Sequence, residues 1–228
     1  MRFKDVFSII GPPMVGPSSS HTAGAVRIGR AARQLLGEMP THADIQFFGS
    51  FAETYQGHGT DLAIVAGLLD YDTDDLRIPR SIANAEEAGM TIVFGRGKGI
   101  FSHPNTARLT ISANDKTVIL TGVSIGGGNI EVVSVNEFIV KFTCIYPTLI
   151  LSHEDRPGMI AEVTRIMMRE GINIGSMCND RKGRSGEAMT VLELDSAITR
   201  ELMAELEAIS TVREVAKIDF SERNGKGQ

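Results

Sequence analysis

The sequence predicts an α+β protein of two domains, and three features predict it. A composition break at 143–148, around Pro147, divides the chain. Ahead of it, helical and strand periodicities intermix over residues 1–147, as in a mixed α/β domain. Behind it, residues 148–221 carry the compact order βαββαβ, a ferredoxin-like arrangement with two helices on one sheet face. The tail 222–228 is polar and Gly-containing and is expected to be disordered.

The elements follow from spacing. A helix is expected after His21-Thr22, with Ala25, Ile28, Ala32, Leu35 and Leu36 as its apolar face. Arg27, Arg30 and Arg33 repeat every three residues and predict a solvated face. Residues 44–50 read as a strand, 61–69 as a short, largely buried helix and 90–94 as a strand. Residues 108–113, 118–124 and 130–135 form an antiparallel run broken at Asn114-Asp115 and at Gly126-Gly127-Gly128. Asp70, Asp72, Asp74 and Asp75 mark a helix end and surface loop, without the spacing of a Ca²⁺ loop.

In the second domain, 148–152 is a strand and Asp155-Arg156-Pro157-Gly158 a turn. Met159, Ile160, Val163, Ile166 and Met167 make a helical stripe that Gly171 stops. Ile172, Ile174, Ser176 and Cys178 alternate in a second strand. A hairpin loop over 182–186 returns through 188–194. Leu202, Leu206 and Ile209 mark a second helix, and Ala216, Ile218 and Phe220 a last strand.

Bulk properties exclude several classes. A chain of 228 residues, 42% hydrophobic and 22% charged, is globular and long enough to bury a sizeable core. The net charge of −5 argues against nucleic acid. No apolar run approaches a membrane span, and Asp5 with Gly11-Pro12-Pro13 spoils residues 1–10 as a secretion signal, so a cytoplasmic protein is expected. Cys144 and Cys178 suggest no disulfide framework and cannot by themselves hold a [4Fe–4S] cluster, which needs three or four thiolates.

Chemistry concentrates in a few segments. Ser18, Ser19, Ser20 and Thr22 place four hydroxyls beside His21 just ahead of a helix, whose free N–H groups attract carboxylate or phosphate. A Ser/Thr N-cap in a polar loop is the other reading. In Gly57-His58-Gly59-Thr60-Asp61, His58 is either a general acid or base or an exposed loop histidine. His103-Pro104-Asn105-Thr106 has the chemistry of a plain turn. Gly126-Gly127-Gly128 either lets backbone approach a ligand or only turns a hairpin.

In order, Gly16-Pro17-Ser18-Ser19-Ser20-His21-Thr22, Gly57-His58-Gly59-Thr60-Asp61, His103-Pro104-Asn105-Thr106 and Ser124-Ile125-Gly126-Gly127-Gly128 resemble the beta chain of the iron–sulfur-dependent L-serine dehydratases, in the two-chain form. Asp155-Arg156-Pro157-Gly158-Met159 and Gly171-Ile172-Asn173-Ile174 resemble an ACT domain, a small-molecule sensor. The first domain also resembles the allosteric substrate-binding domain of some phosphoglycerate dehydrogenases. The resemblance implies a partner alpha chain that carries the [4Fe–4S] cysteines, with a cluster iron acting as Lewis acid on the serine hydroxyl. It implies deamination of L-serine to pyruvate and ammonium.

On this chain the resemblance points to His21 and His58 as proton-transfer groups, with the identity of the base open. Ser18, Ser19, Ser20, Thr22, Asp61, Asn105 and Gly127 are candidate substrate contacts, with Asp61 either orienting an imidazole or capping a helix. Asp155, Arg156, Gly158 and Asn173 are candidate effector contacts. The effector would be an amino acid, with K⁺ as a second candidate, and ACT domains could pair two copies. No metal ligand is expected on this chain. The competing reading is a non-catalytic sensor of an amino acid or anion.

Overall fold

The computed structural model describes residues 12–99, 101, 103–183 and 186–221. The expectations for residues 1–10, for the tail 222–228 and for part of the 182–186 loop therefore lie outside the described residues. The chain divides into two compact units, Met1–Glu137 and Phe138–Gln228.

In the first unit, a π-helical turn Ser19–Ala23 runs directly into α1 (Gly24–Leu36). Then follow β1 (His42–Phe48), α2 (Ser50–Thr54), α3 (Thr60–Leu68), a 3₁₀ turn Ile78–Arg80, α4 (Ser81–Glu87) and β2 (Thr91–Arg96). β3 (Thr106–Ala113), β4 (Lys116–Gly126) and β5 (Asn129–Val135) complete a five-stranded mixed sheet of order β2-β1-β3-β4-β5. β1 pairs parallel with β2, which needs the intervening helices as its crossover, while β3, β4 and β5 form antiparallel hairpins.

α1 is buried on more than one side. Its apolar stripe faces the sheet, and a second contact joins it to α3 through glycines. A Cβ on Gly67 would stand 2.1 Å from the Val26 carbonyl oxygen, and one on Gly29 2.2 Å from that of Ile64, so only glycine permits this approach. That contact corrects the solvated-face expectation for the arginines. Arg30 is 3% exposed and pairs with Asp70 and Asp72, at 3.1 and 3.4 Å. Arg27 donates to the Gly128 carbonyl at 2.8 Å. Half of the acidic run after α3 is thus the counter-charge of a buried cation, which a chain buries only when paired.

The second unit contains β6 (Thr148–Glu154), α5 (Met159–Arg169), β7 (Ile174–Arg181), β8 (Glu187–Leu194), α6 (Arg200–Glu207) and β9 (Val212–Ile218). Its antiparallel sheet has the order β7-β8-β6-β9, the ferredoxin-like pattern the sequence predicts. Leu149, Leu151, Leu192 and Leu194 pack with Met159, Val163, Met167, Leu202 and Leu206 in the helix-side core.

The segment 138–147 belongs with this unit rather than with the first. Phe138, Val140, Phe142 and Cys144 are buried while Ile139 and Ile145 are exposed, the alternation of an extended chain lying on a surface. The Thr143 N–H and hydroxyl donate to the Glu193 carboxylate at 2.9 and 2.6 Å, and Ile139 N–H donates to Asp180. Glu193 alternates with Leu192 and Leu194, so this strap covers the sheet face opposite the helices. Among the described residues, no helix is long and apolar enough to cross a membrane.

Candidate active site

The hydroxyl-rich segment is the first turn of the helical body, not a loop ahead of it. Ser18 is extended, its Oγ accepts the His21 N–H at 3.2 Å, and its carbonyl accepts the Thr22 N–H. The Gly24 N–H reaches back to the Ser19 carbonyl, which widens the turn. The N–H groups of Ser19 and Ser20, at the open end, have no intrahelical acceptor. Ser18 is thus an N-cap, and Ser19, Ser20, His21 and Thr22 stand around a helix start.

Three remote segments converge on that turn. The His21 ring has Nδ1 3.4 Å from Ser18 Oγ and Nε2 3.3 Å from Ser50 Oγ. It stands edge-on to Phe51 and to His58, with ring centroids 5.2 and 4.9 Å away. Burial, and then His58 beside it, push the His21 imidazole below its ordinary pKa. His58 is exposed, and among the described residues its ring makes no hydrogen bond.

The third and fourth motifs hold this arrangement from behind. His103-Pro104-Asn105-Thr106 is a turn: Asn105 N–H donates to His103 Nδ1 and Thr106 Oγ1 to the His103 carbonyl. The Pro104 carbonyl accepts the Phe51 N–H at the start of α2, and the Asn105 carbonyl accepts the Ser124 N–H. Ser124 in turn packs on Gly24, where a Cβ would be 2.1 Å from Ser124 Oγ. Gly127, with φ +61°, sits at the tip of the β4–β5 hairpin, beside the Gly128 carbonyl that Arg27 holds. All four motifs therefore meet around the start of the helix. Asp61 spends one carboxylate oxygen on the Leu62 N–H at 2.8 Å. Burial raises its pKa against that bond, and among the described residues it bonds neither histidine.

A cavity of about 300 Å³ opens here, lined by Gly16, Thr22, His58, Gly59, Leu62 and Ile78 among others. Thr22 is 2% exposed, and its Oγ1 is buried with no partner among the described residues. An unpaired buried hydroxyl costs ~1–3 kcal/mol, so Thr22 holds unspent hydrogen-bonding capacity at the cavity wall. Ser50 is the site residue that sequence reasoning misses. It opens a five-residue helix with no periodicity, and only the turn chemistry of Gly49 hints at it.

The candidate effector residues lie on the surface of the second unit. Gly158 has φ +90°, which favours glycine, and precedes the first turn of α5. Asp155 pairs with Arg181 at 3.2 Å, and Arg156 with Glu162 at 2.9 Å and with Thr211 Oγ1 at 3.1 Å. Asn173 donates to Asp195 at 2.6 Å, and no hydrogen bond among the described residues joins it to the 155–158 turn.

The two cysteines do not fit an iron–sulfur cluster. Cys144 is a buried residue of the strap itself; Cys178 bonds the Lys141 carbonyl, and burial raises its thiol pKa, whereas a ligand must be thiolate.

Comparison with known proteins matches residues 3–89 to the serine dehydratase beta chain family model and residues 148–211 to that of the ACT domain. The chain is 45% identical to the "Probable L-serine dehydratase, beta chain" of Bacillus subtilis, covering 96% of this chain and 99% of that one. It is 36% identical to the "L-serine dehydratase, beta chain" of Peptoniphilus asaccharolyticus, over 86% and 89%. A match of 33% identity to "L-serine dehydratase 2" of Escherichia coli covers 54% of this chain but 32% of that protein. "D-3-phosphoglycerate dehydrogenase" of B. subtilis is 26% identical over 86% of this chain and 37% of its own length. With identity at this level along nearly its whole length, the chain belongs to the serine dehydratase beta chain family and ends in an ACT domain.

Proposed function

We propose that this chain is the beta subunit of an L-serine dehydratase and, with an alpha chain, converts L-serine to pyruvate and ammonium. One observation carries the reading: His58 lines a cavity with Thr22, whose buried hydroxyl has no partner among the described residues, and the His21 ring stands edge-on behind it at a helix start. The substrate carboxylate is received by the Ser19 and Ser20 N–H groups and the Thr22 hydroxyl, with Ser18 capping the turn. His58 lines the cavity with an exposed ring and takes the α-proton. His21 stands behind it with both nitrogens facing hydroxyls and stays neutral, since burial first, and then the neighbouring His58, disfavour its cation. Loss of the β-hydroxyl leaves an enamine, which becomes an imine and hydrolyses to the products.

The [4Fe–4S] cluster has no holder here and in this reading belongs to the alpha chain. The match to a third of the longer E. coli enzyme supports that division, because most of that enzyme has no counterpart in this chain. The test is anaerobic reconstitution. Chain and alpha partner together should release pyruvate from L-serine and show cluster absorbance, and this chain alone should do neither. Turnover by the lone chain would sink the two-chain reading.

The ACT domain is proposed to sense an amino acid at the 155–158 turn and Asn173, with K⁺ as a second candidate and a second copy completing the site. The match to phosphoglycerate dehydrogenase along most of the chain favours a second reading, in which the first unit also binds an effector. The reconstitution separates the two, since a pure sensor adds no turnover to the alpha chain.

A further inference from the structure

We infer that Ser50 is a positioning residue for the histidine pair, its hydroxyl and that of Ser18 clamping His21 by both ring nitrogens and so fixing the ring against which His58 stands. The inference rests on the proposed dehydratase reading and extends it to a residue outside every motif. A neutral imidazole offers one N–H and one lone pair, and a hydroxyl can serve either. Ser18 Oγ accepts the His21 backbone N–H and keeps its own proton to give, which in the inferred clamp goes to Nδ1. The ring proton then sits on Nε2 and donates to Ser50 Oγ. The clamp thereby selects one tautomer as well as one orientation.

Ser50 is delivered by backbone rather than by its own contacts. Gly49 has φ +57° and ψ −130°, and a Cβ there would be 2.6 Å from the Pro104 carbonyl oxygen. That same oxygen accepts the Phe51 N–H, and the Thr54 hydroxyl donates to the Ser50 carbonyl at 2.7 Å. Phe51 is fully buried, edge-on to both Phe47 and His21. The first turn of α2 is thus fixed on three sides, and the His103–Thr106 turn acts on the site through it.

Two measurements test this. In the assembled enzyme, Ser50→Ala should lower kcat about tenfold with KM within about twofold, and Ser50→Thr should restore most of the loss, as expected for a misplaced catalytic group. In the full beta chain alone, ¹⁵N NMR should show His21 as a single Nε2–H tautomer near neutral pH, and Ser50→Ala should mix the tautomers. A wild-type kcat in Ser50→Ala, or unchanged His21 ring signals in that variant, overturns the clamp. An assembled wild-type enzyme that releases no pyruvate instead overturns the dehydratase reading, and the NMR measurement still decides the clamp.

Discussion

In the first unit the candidate residues converge and keep hydrogen-bonding capacity in reserve; in the second they are separate, and Asp155, Arg156 and Asn173 are each already spent on a neighbour. Thr22 Oγ1 is buried without a partner among the described residues, and His58 presents an exposed ring to the same cavity. Asp155, Arg156 and Asn173 each hold a charged partner at the surface. The first pattern suits the preorganised site proposed above, in which polar groups are held for a ligand at a standing cost to stability. The second suits a sensor, which must change partners when the effector binds, because a ligand shifts an equilibrium only through unequal affinity for two states. Exposed ion pairs are worth only ~0–1 kcal/mol, so exchanging them costs little.

The largest effect expected on this contrast is at His58. His58→Ala in the assembled enzyme should cut kcat by ~10²-fold or more while KM changes little, since a proton-transfer group acts in the transition state. A variant that keeps near-normal kcat with pyruvate still released would remove His58 from the chemistry and leave the cavity as a binding site alone. The next effect sharpens the claim of reserve. Thr22→Val keeps the shape and deletes the orphan hydroxyl, so unfolding by denaturant should show unchanged or higher stability. KM for L-serine should nevertheless rise about tenfold, the loss of one charge-assisted hydrogen bond. Should stability fall and KM stay put, the hydroxyl is satisfied within the fold and the contrast between the units weakens.

The sequence made the second fold legible because each of its elements is local. Strand alternation, the Met159–Met167 stripe and the turn glycines suffice for βαββαβ, and the structure follows them to within a few residues. The first unit was legible in its strands and in α1 and α3. Its two short helices, Ser50–Thr54 and Ser81–Glu87, were not, because five to seven residues hold no full apolar period. The arginine face of α1 departs from the solvated face that its spacing predicts for a related reason. Periodicity reports one buried stripe, and the second contact comes from α3 through Gly29 and Gly67, a tertiary event signalled only by two small residues far apart in sequence. The four motifs were visible singly. Their convergence rests on β3 and β4 pairing so that Ser124 bonds Asn105, which no local pattern encodes. The division at Glu137 rather than near Pro147 has a similar origin, since Ile139 and Thr143 bond Asp180 and Glu193, on strands that come later in the chain.

The smallest expected effect probes the second unit. Gly158 is a poor place to test effector binding, because its φ of +90° would strain any side chain and blur a lost contact with a distorted turn. Asn173 is cleaner. It is exposed, and among the described residues its side chain makes one bond, to Asp195. Removing an exposed bond of this kind should move stability by no more than ~0.5 kcal/mol. If Asn173 also receives the amino group of an effector, Asn173→Ala in the full chain should weaken amino-acid binding by up to about tenfold in calorimetry, one hydrogen bond's worth. Asp195, freed of its partner, would remain to attract the same ammonium, which is why a larger loss is not expected. Binding of wild-type strength in Asn173→Ala would confine the effector to the 155–158 turn. The spent ion pairs there, rather than Asn173, would then be the groups that must open.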